Sequence, residues 1–366
     1  MKRIILLIIL IVIGFIGFLY YSPFSKDLPK EKMSETVASE NDIEIYAENL
    51  EVPWEVAFLP NKDMVVTLRK GEVLVLRNKE IVNRFNFPSV NAQGEGGLLG
   101  IAVHPKFEDN NFIYFYYTQK IENTYKNTIA RYKYQNQMFS FDKNILEDIR
   151  GNIFHNAGKI EFGPDGFLYV TAGDALDEPS AQDKNQISGK ILRIDDNGNV
   201  PADNPFGNTI YSYGHRNPQG LTWDSEGNLW STEHGQSGIA SGQDELNKIV
   251  KGGNYGWPNV RGSQSGEGFV SPEIQSGNNL VWAPGDNEYF EGNIFFTGLR
   301  GEGIYKYNLK DKTLTKYLDK QFGRLRALTL GPDGFFYITT SNRDGRGLAK
   351  PGDDKIIKIN PKTFLE

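Results

Sequence analysis

From residue 43 onward one short phrase recurs six times: a turn built from Pro, Asp, Asn or Gly, then a strand alternating aromatic or aliphatic residues with small ones. Gly163-Pro164-Asp165-Gly166 leading into Phe167-Leu168-Tyr169-Val170-Thr171 shows its form. The other copies run from 59–62 into 64–67, 104–107 into 112–114, 224–227 into 228–232, 291–293 into 294–297 and 331–334 into 335–339. A second strand phrase answers most of them, at 73–76, 129–132, 190–194, 304–307 and 355–359, and only a distorted version follows the fourth, near Asp244. A two-strand unit repeating about every 54 residues is a blade rather than a solenoid rung, and such units close into a ring. The chain is therefore predicted to be all-β, a six-bladed β-propeller over residues 43–366 with no second domain. An open β-sandwich with accidental Asp-Gly turns is the alternative that spaces its turns as regularly.

The 39 glycines and 18 tyrosines fit many short strands joined by turns. A net charge of −6 leaves no basic field, which excludes nucleic acid as a partner. With no cysteine, disulfides, thiolate metal sites and a cysteine nucleophile are excluded, and any metal must be held by oxygen or imidazole. Lys2 and Arg3 precede an uncharged, mostly apolar run over residues 4–21, long enough to cross a bilayer and not closely followed by an A-x-A-like site. Residues 1–21 are thus predicted to be a transmembrane or signal-anchor helix at the cell membrane, 22–42 a polar linker, and the propeller extracytoplasmic. Cleavage and secretion are the alternative.

Function is expected where polar residues interrupt the repeat, because loops at one mouth of a propeller converge on a small volume. The glycine-rich stretch 93–100, starting at Gln93, suits close backbone approach to a ligand or a tight inter-blade turn. His155 opens an innermost strand, and imidazole as a side chain suits a general base for an alcohol, whereas a satisfied structural histidine is the bland alternative. Arg216 and Asn217 precede the fourth copy, either as ligand groups or as one end of an inter-blade ion pair. Gly235 and Gln236, then Asp244, Glu245 and Tyr255, put carboxylates and free carbonyls in kinked loops that suit calcium or simply face solvent. Arg300, Arg324 and Arg326 join Arg216 in a set spread over three blades, which calls for a multiply anionic ligand.

With these phrases in hand, above all 93–100, 214–220, 244–247 and 252–258, the chain resembles the glucose/sorbosone dehydrogenase family of soluble quinoprotein sugar dehydrogenases over about residues 43–362. The resemblance implies pyrroloquinoline quinone as cofactor, held by Gln93, Arg216, Asn217, Arg300, Arg324 and Arg326, with Arg300 standing where the glucose enzymes use Lys. It implies His155 as catalytic base with Asp174 as a polar partner, and Arg216 as the cation facing charge that develops on the quinone. Carbonyls of Gly235 and Gln236 would bind the catalytic calcium; Glu245 and the Tyr255 carbonyl resemble a second, structural calcium site. The implied reaction takes an aldose to its lactone and passes electrons to an external acceptor. Two departures bear on the sugar: the segment from Trp282 to the fifth copy, a wall of the substrate pocket, is short, and Ala157 and Lys159 replace the usual Gly and Arg. A catalytically silent binding ectodomain and a calcium-dependent lactonase are the rival expectations.

Overall fold

The computed structural model describes residues 32–33, 42–237, 241–278 and 280–365. Six antiparallel sheets follow one another along the chain, spanning residues 53–86, 98–150, 160–213, 218–275, 284–317 and 325–359. The sixth takes its outermost strand from the other end of the chain: Ile43–Ala47 pairs antiparallel with Ile356–Ile359. Start and end of the domain are thereby hydrogen-bonded into one blade, which closes the ring and leaves no open inter-blade edge.

The repeated phrase proves to be the second strand of each blade, with its answering phrase the third. Its turn explains itself chemically. Gly166, Gly227 and Gly334 adopt φ of +79°, +80° and +80°, a region that costs glycine nothing. In the third and sixth blades the turn aspartate accepts the hydroxyl of the strand's tyrosine, Tyr169 to Asp165 at 2.9 Å and Tyr337 to Asp333 at 3.0 Å. Asp224 does the same for the Trp230 indole N–H at 2.9 Å. The blades are cemented by apolar clusters that span their faces, as where Phe295 and Ile304 of the fifth meet Leu328, Phe336 and Ile357 of the sixth.

The innermost strands carry no repeat phrase. They are Pro53–Phe58, Leu98–Val103, Ile160–Phe162, Pro218–Trp223, Pro284–Phe290 and Leu325–Leu330. All except the third show a register shift near their start, where an extra residue re-aims side chains at one end of the channel. That end carries the candidate site. Deeper in the channel Lys159 is buried between Glu55 at 3.0 Å and Asp286 at 2.9 Å, so one ammonium ties the first, third and fifth blades. Lys159 therefore belongs to the channel's ion network and not to a substrate wall.

The expected membrane helix lies outside the described residues, as does most of the expected linker; no described helix is long and apolar enough to cross a membrane. Within the linker, Lys32–Met33 pairs in parallel with the outer strand of the fifth blade, Leu314–Tyr317.

Candidate functional site

Loops at the shifted ends of the innermost strands enclose a cavity, open to solvent, lined by Trp54, Arg69, Glu95, Arg324, Arg326, Asp344 and Arg346 among others. Four guanidiniums against two carboxylates leave a cationic excess of two. Arg324 is held in a fork on Asp344, at 3.0 Å from Nε and 2.8 Å from Nη2, and its Nη1 donates to the Leu299 carbonyl at 3.2 Å. Arg346 donates to Glu95 at 2.9 Å. Arg326 instead packs its guanidinium 4.3 Å from the centre of the Trp54 ring, with no side-chain hydrogen bond among the described residues. Burial lowers its pKa to about 10, which still leaves it charged at neutral pH. The buried Nε of Arg69 likewise has no partner. Unspent, partly desolvated cations of this kind are what a polyanionic ligand would satisfy.

Beside the cavity stands an oriented imidazole. His155 Nδ1 lies 2.7 Å from Asp174 Oδ1, and Asp174 is fully buried. The same carboxylate accepts the Leu176 N–H at 2.9 Å and, through Oδ2, the Trp257 indole N–H at 2.9 Å. Three donors on one carboxylate fix its orientation. An ionised carboxylate can only accept, so the proton sits on Nδ1 and Nε2 is left as the basic nitrogen. The histidine backbone is in the left-handed region, φ +57°, with its N–H donated to Glu95 Oε2 at 2.9 Å. Gly173 makes room for this bend, since a Cβ there would fall 2.0 Å from the His155 carbonyl oxygen.

A second cavity adjoins the first across His234 and is lined by Arg216, Glu233, Gly235, Gln236, Glu245, Tyr255 and Trp257 among others. Arg216 is buried; its backbone N–H donates to Glu233, Nη2 reaches Ser237 at 3.1 Å, and its guanidinium lies 5.3 Å from the Trp257 ring. Its Nε is buried without a partner. His234, half-buried between the cavities, has its pKa pulled down to about 3 by loss of solvent and is neutral, with Nε2 2.8 Å from the Pro284 carbonyl. Burial, then repulsion from Glu233, pushes the Glu245 carboxyl above the usual range, while Asn247 donates to it at 3.0 Å. A carboxylate so placed gains from a nearby cation.

The other expected residues are dispersed. Gln93 is exposed and accepts the Tyr125 hydroxyl at 2.5 Å, so the cavity side of its loop belongs to Glu95. Asn217 is buried and spends Oδ1 on the Ala157 N–H at 3.0 Å. Arg300 is exposed just past the second strand of the fifth blade, next to the cavity-lining Leu299. Two expectations are corrected. Asp244 is not a free metal ligand: its carboxylate staples three backbone N–H groups, Gly235 at 2.9 Å, Trp282 at 2.7 Å and Ala283 at 2.8 Å. Trp282 is not a substrate contact: it is 1% exposed, packed 5.3 Å from Phe296 and 5.7 Å from Tyr305. Of the calcium carbonyls, that of Gln236 is taken by the Gly242 N–H at 3.1 Å. Among the described residues no group of three or more His, Asp or Glu side chains could hold a metal alone.

Arg69, Glu95, His234, Asp344 and Arg346 were not expected from the sequence. Glu95 lay inside the glycine-rich stretch already singled out, and His234 inside the phrase 233–236. Nothing near Arg69 or Arg346 distinguishes them from surface arginines.

A ring of six blades gathers cations over one mouth, with a carboxylate-oriented imidazole nearby, an arrangement able to bind a polyanion and to accept a proton. The chain belongs to the glucose/sorbosone dehydrogenase family, whose model matches residues 50–350. It is 29% identical to aldose sugar dehydrogenase YliI of Escherichia coli, over 88% of this chain and 93% of that protein. Quinoprotein glucose dehydrogenase B of Acinetobacter calcoaceticus is 33% identical, over 63% of this chain and 55% of that protein. The structure of the PQQ-bound aldose sugar dehydrogenase from Streptomyces coelicolor superposes with a TM-score of 0.79 at 35% identity, covering 91% and 99% of the two chains.

Proposed function

We propose that the chain oxidises the anomeric carbon of an aldose to the lactone, using pyrroloquinoline quinone as hydride acceptor with calcium assistance, outside the cytoplasm. The observation that carries this reading is the His155–Asp174 pair at 2.7 Å beside a cavity with unspent arginines. The residues present fit a planar tricarboxylate. Arg326 and Arg69 have guanidinium nitrogens without protein partners, and Arg216 Nε is a buried orphan. For calcium the fit rests on the half-buried Glu245 carboxyl, which lines the second cavity, and on the carbonyls of Gly235 and Tyr255, which accept no hydrogen bond among the described residues.

When bound, the quinone supplies a carbonyl that accepts hydride, and calcium polarises it as a Lewis acid. The protein's part is positioning and proton transfer. Nε2 of His155 takes the proton of the anomeric hydroxyl as hydride leaves the same carbon, and Asp174 stabilises the imidazolium that results. Arg326 would hold a carboxylate of the bound cofactor, Arg324 would do so by giving up part of its fork on Asp344, and Arg216 would offset negative charge on the acceptor side. The similarity to named aldose sugar and glucose dehydrogenases supports sugar as substrate, and the apolar N-terminal run supports an extracytoplasmic site.

The test is to load the purified full chain with quinone and calcium and follow dye reduction over a panel of aldoses. Turnover with lactone release, lost in His155→Ala, is the expected outcome. Tight quinone binding with no turnover on any sugar would overturn the enzymatic reading in favour of a binding ectodomain.

A further inference from the structure

Glu95 makes two contacts that join the base to the cation cavity. Oε2 accepts the backbone N–H of His155 at 2.9 Å, and Oε1 accepts from Arg346 at 2.9 Å. Arg346 lines the cavity, and its guanidinium also lies 5.5 Å from the ring of Phe154, the residue just before the base. Glu95 enters from the loop ahead of the second blade and Arg346 from a loop after the second strand of the sixth, so the pair closes across the mouth over the segment that carries His155. That segment needs holding. A left-handed non-glycine residue is strained by about 1–3 kcal/mol and persists only where its surroundings over-determine it. The Glu95 carboxylate and the Ala175 N–H on the His155 carbonyl at 3.3 Å are restraints present, with Gly173 packed against that carbonyl.

We propose that Glu95 is a positioning residue for the general base and that Arg346 is shared between Glu95 and an anion in the cavity, so that filling the cavity and placing His155 are coupled. This rests on the quinone-dependent reading above for the identity of the anion, but not for the positioning. Asp174 orients the ring of His155, and Glu95 fixes the backbone from which the ring projects. Glu95 also opposes the anion by charge. Its carboxylate stands against the four arginines and keeps Arg346 engaged until a stronger acceptor arrives. Glutamine at this position would keep an acceptor oxygen for the His155 N–H but lose the charge; alanine would lose both.

Three measurements on the full chain test this. Hydrogen exchange of the peptide covering residues 150–158, without added ligand, is expected to speed up in Glu95→Ala by about tenfold, the worth of one ordinary hydrogen bond, and to stay near the parent rate in Glu95→Gln. Pyrroloquinoline quinone affinity of the cofactor-free chain, read by fluorescence titration, is expected to tighten by about threefold or more in both variants, because each removes a negative charge from the cavity, and to weaken in Arg346→Ala. With loaded enzyme, Glu95→Ala is expected to lower kcat by about tenfold with little change in KM, while Glu95→Gln keeps most of it. Equal exchange rates in parent and Glu95→Ala overturn the positioning role. Weaker quinone binding in both Glu95 variants overturns the coupling. If the parent chain binds no quinone, the functional reading fails, and the exchange result still decides whether Glu95 holds the base.

Discussion

Asp174→Asn is the substitution that separates an oriented base from a merely buried histidine. The carboxylate takes three donors: His155 Nδ1 at 2.7 Å, Leu176 N–H at 2.9 Å and Trp257 Nε1–H at 2.9 Å. An amide offers one acceptor oxygen and one NH2 group, so at least one donor must face a donor. If the oxygen stays on the indole, the NH2 meets His155 Nδ1 and forces the proton to Nε2, which abolishes the base. If the oxygen stays on the imidazole, the tautomer survives but the charge facing the imidazolium is gone. At about 4 Å and an effective dielectric of about 20 that charge is worth about 4 kcal/mol, close to a thousandfold in rate. The corresponding exchange in a Ser-His-Asp triad costs about 10⁴. We expect kcat for dye-linked sugar oxidation to fall by about 10²–10⁴, with quinone affinity by titration changed less than about threefold. The buried mismatch should also cost stability by about 1–3 kcal/mol. A folded Asp174→Asn enzyme retaining more than a tenth of the parent kcat would refute the assignment.

Trp257→Phe removes one donor to Asp174 while keeping a ring against Arg216; kcat should fall by about tenfold with KM little changed, and an equal rise in KM would point to direct substrate contact instead. Arg326→Ala should weaken quinone binding by at least about tenfold, because its guanidinium has no protein hydrogen bond to retain it elsewhere; unchanged affinity in a titration would sink the cation-cavity argument. Glu288 is raised to about 7, chiefly by burial in the channel. A carboxyl raised in the folded state holds its proton after the unfolded chain has lost it, so stability declines as pH rises from about 4.5 to 7, by up to about 3 kcal/mol. Glu288→Gln escapes this decline, and its thermal midpoint relative to the parent should climb between pH 5 and pH 8; a difference independent of pH would refute the shift.

The ring and its blade count were legible in the sequence because a turn-then-strand phrase recurs in every blade, and in the third, fourth and sixth it obeys one local chemistry. Asp165, Asp224 and Asp333 each fold their own turn and capture an aromatic a few residues on, so the signal is contained in about ten consecutive residues. His155, Arg216, Arg324 and Arg326 were legible as interruptions of that pattern. Trp282 and Asp244 misled for one reason: an aromatic or an acid in an irregular loop looks the same on paper whether it faces a ligand or the core, and burial of Trp282 and the three N–H groups on Asp244 are long-range facts. The closure of the sixth blade by Ile43–Ala47 joins residues some three hundred apart, which no window along the chain can contain.

By itself, then, the sequence determined an all-β propeller with no thiol to offer, since composition and local turn chemistry decide those. Only the tertiary structure decided which charges meet. Arg69, Glu95 and Arg346 come from loops of different blades, and their Coulomb and hydrogen-bond energies exist only once ring closure brings them within a few ångströms. The repeat builds the ring, and the ring selects which arginines face the cavity and which carboxylate orients the His155 imidazole.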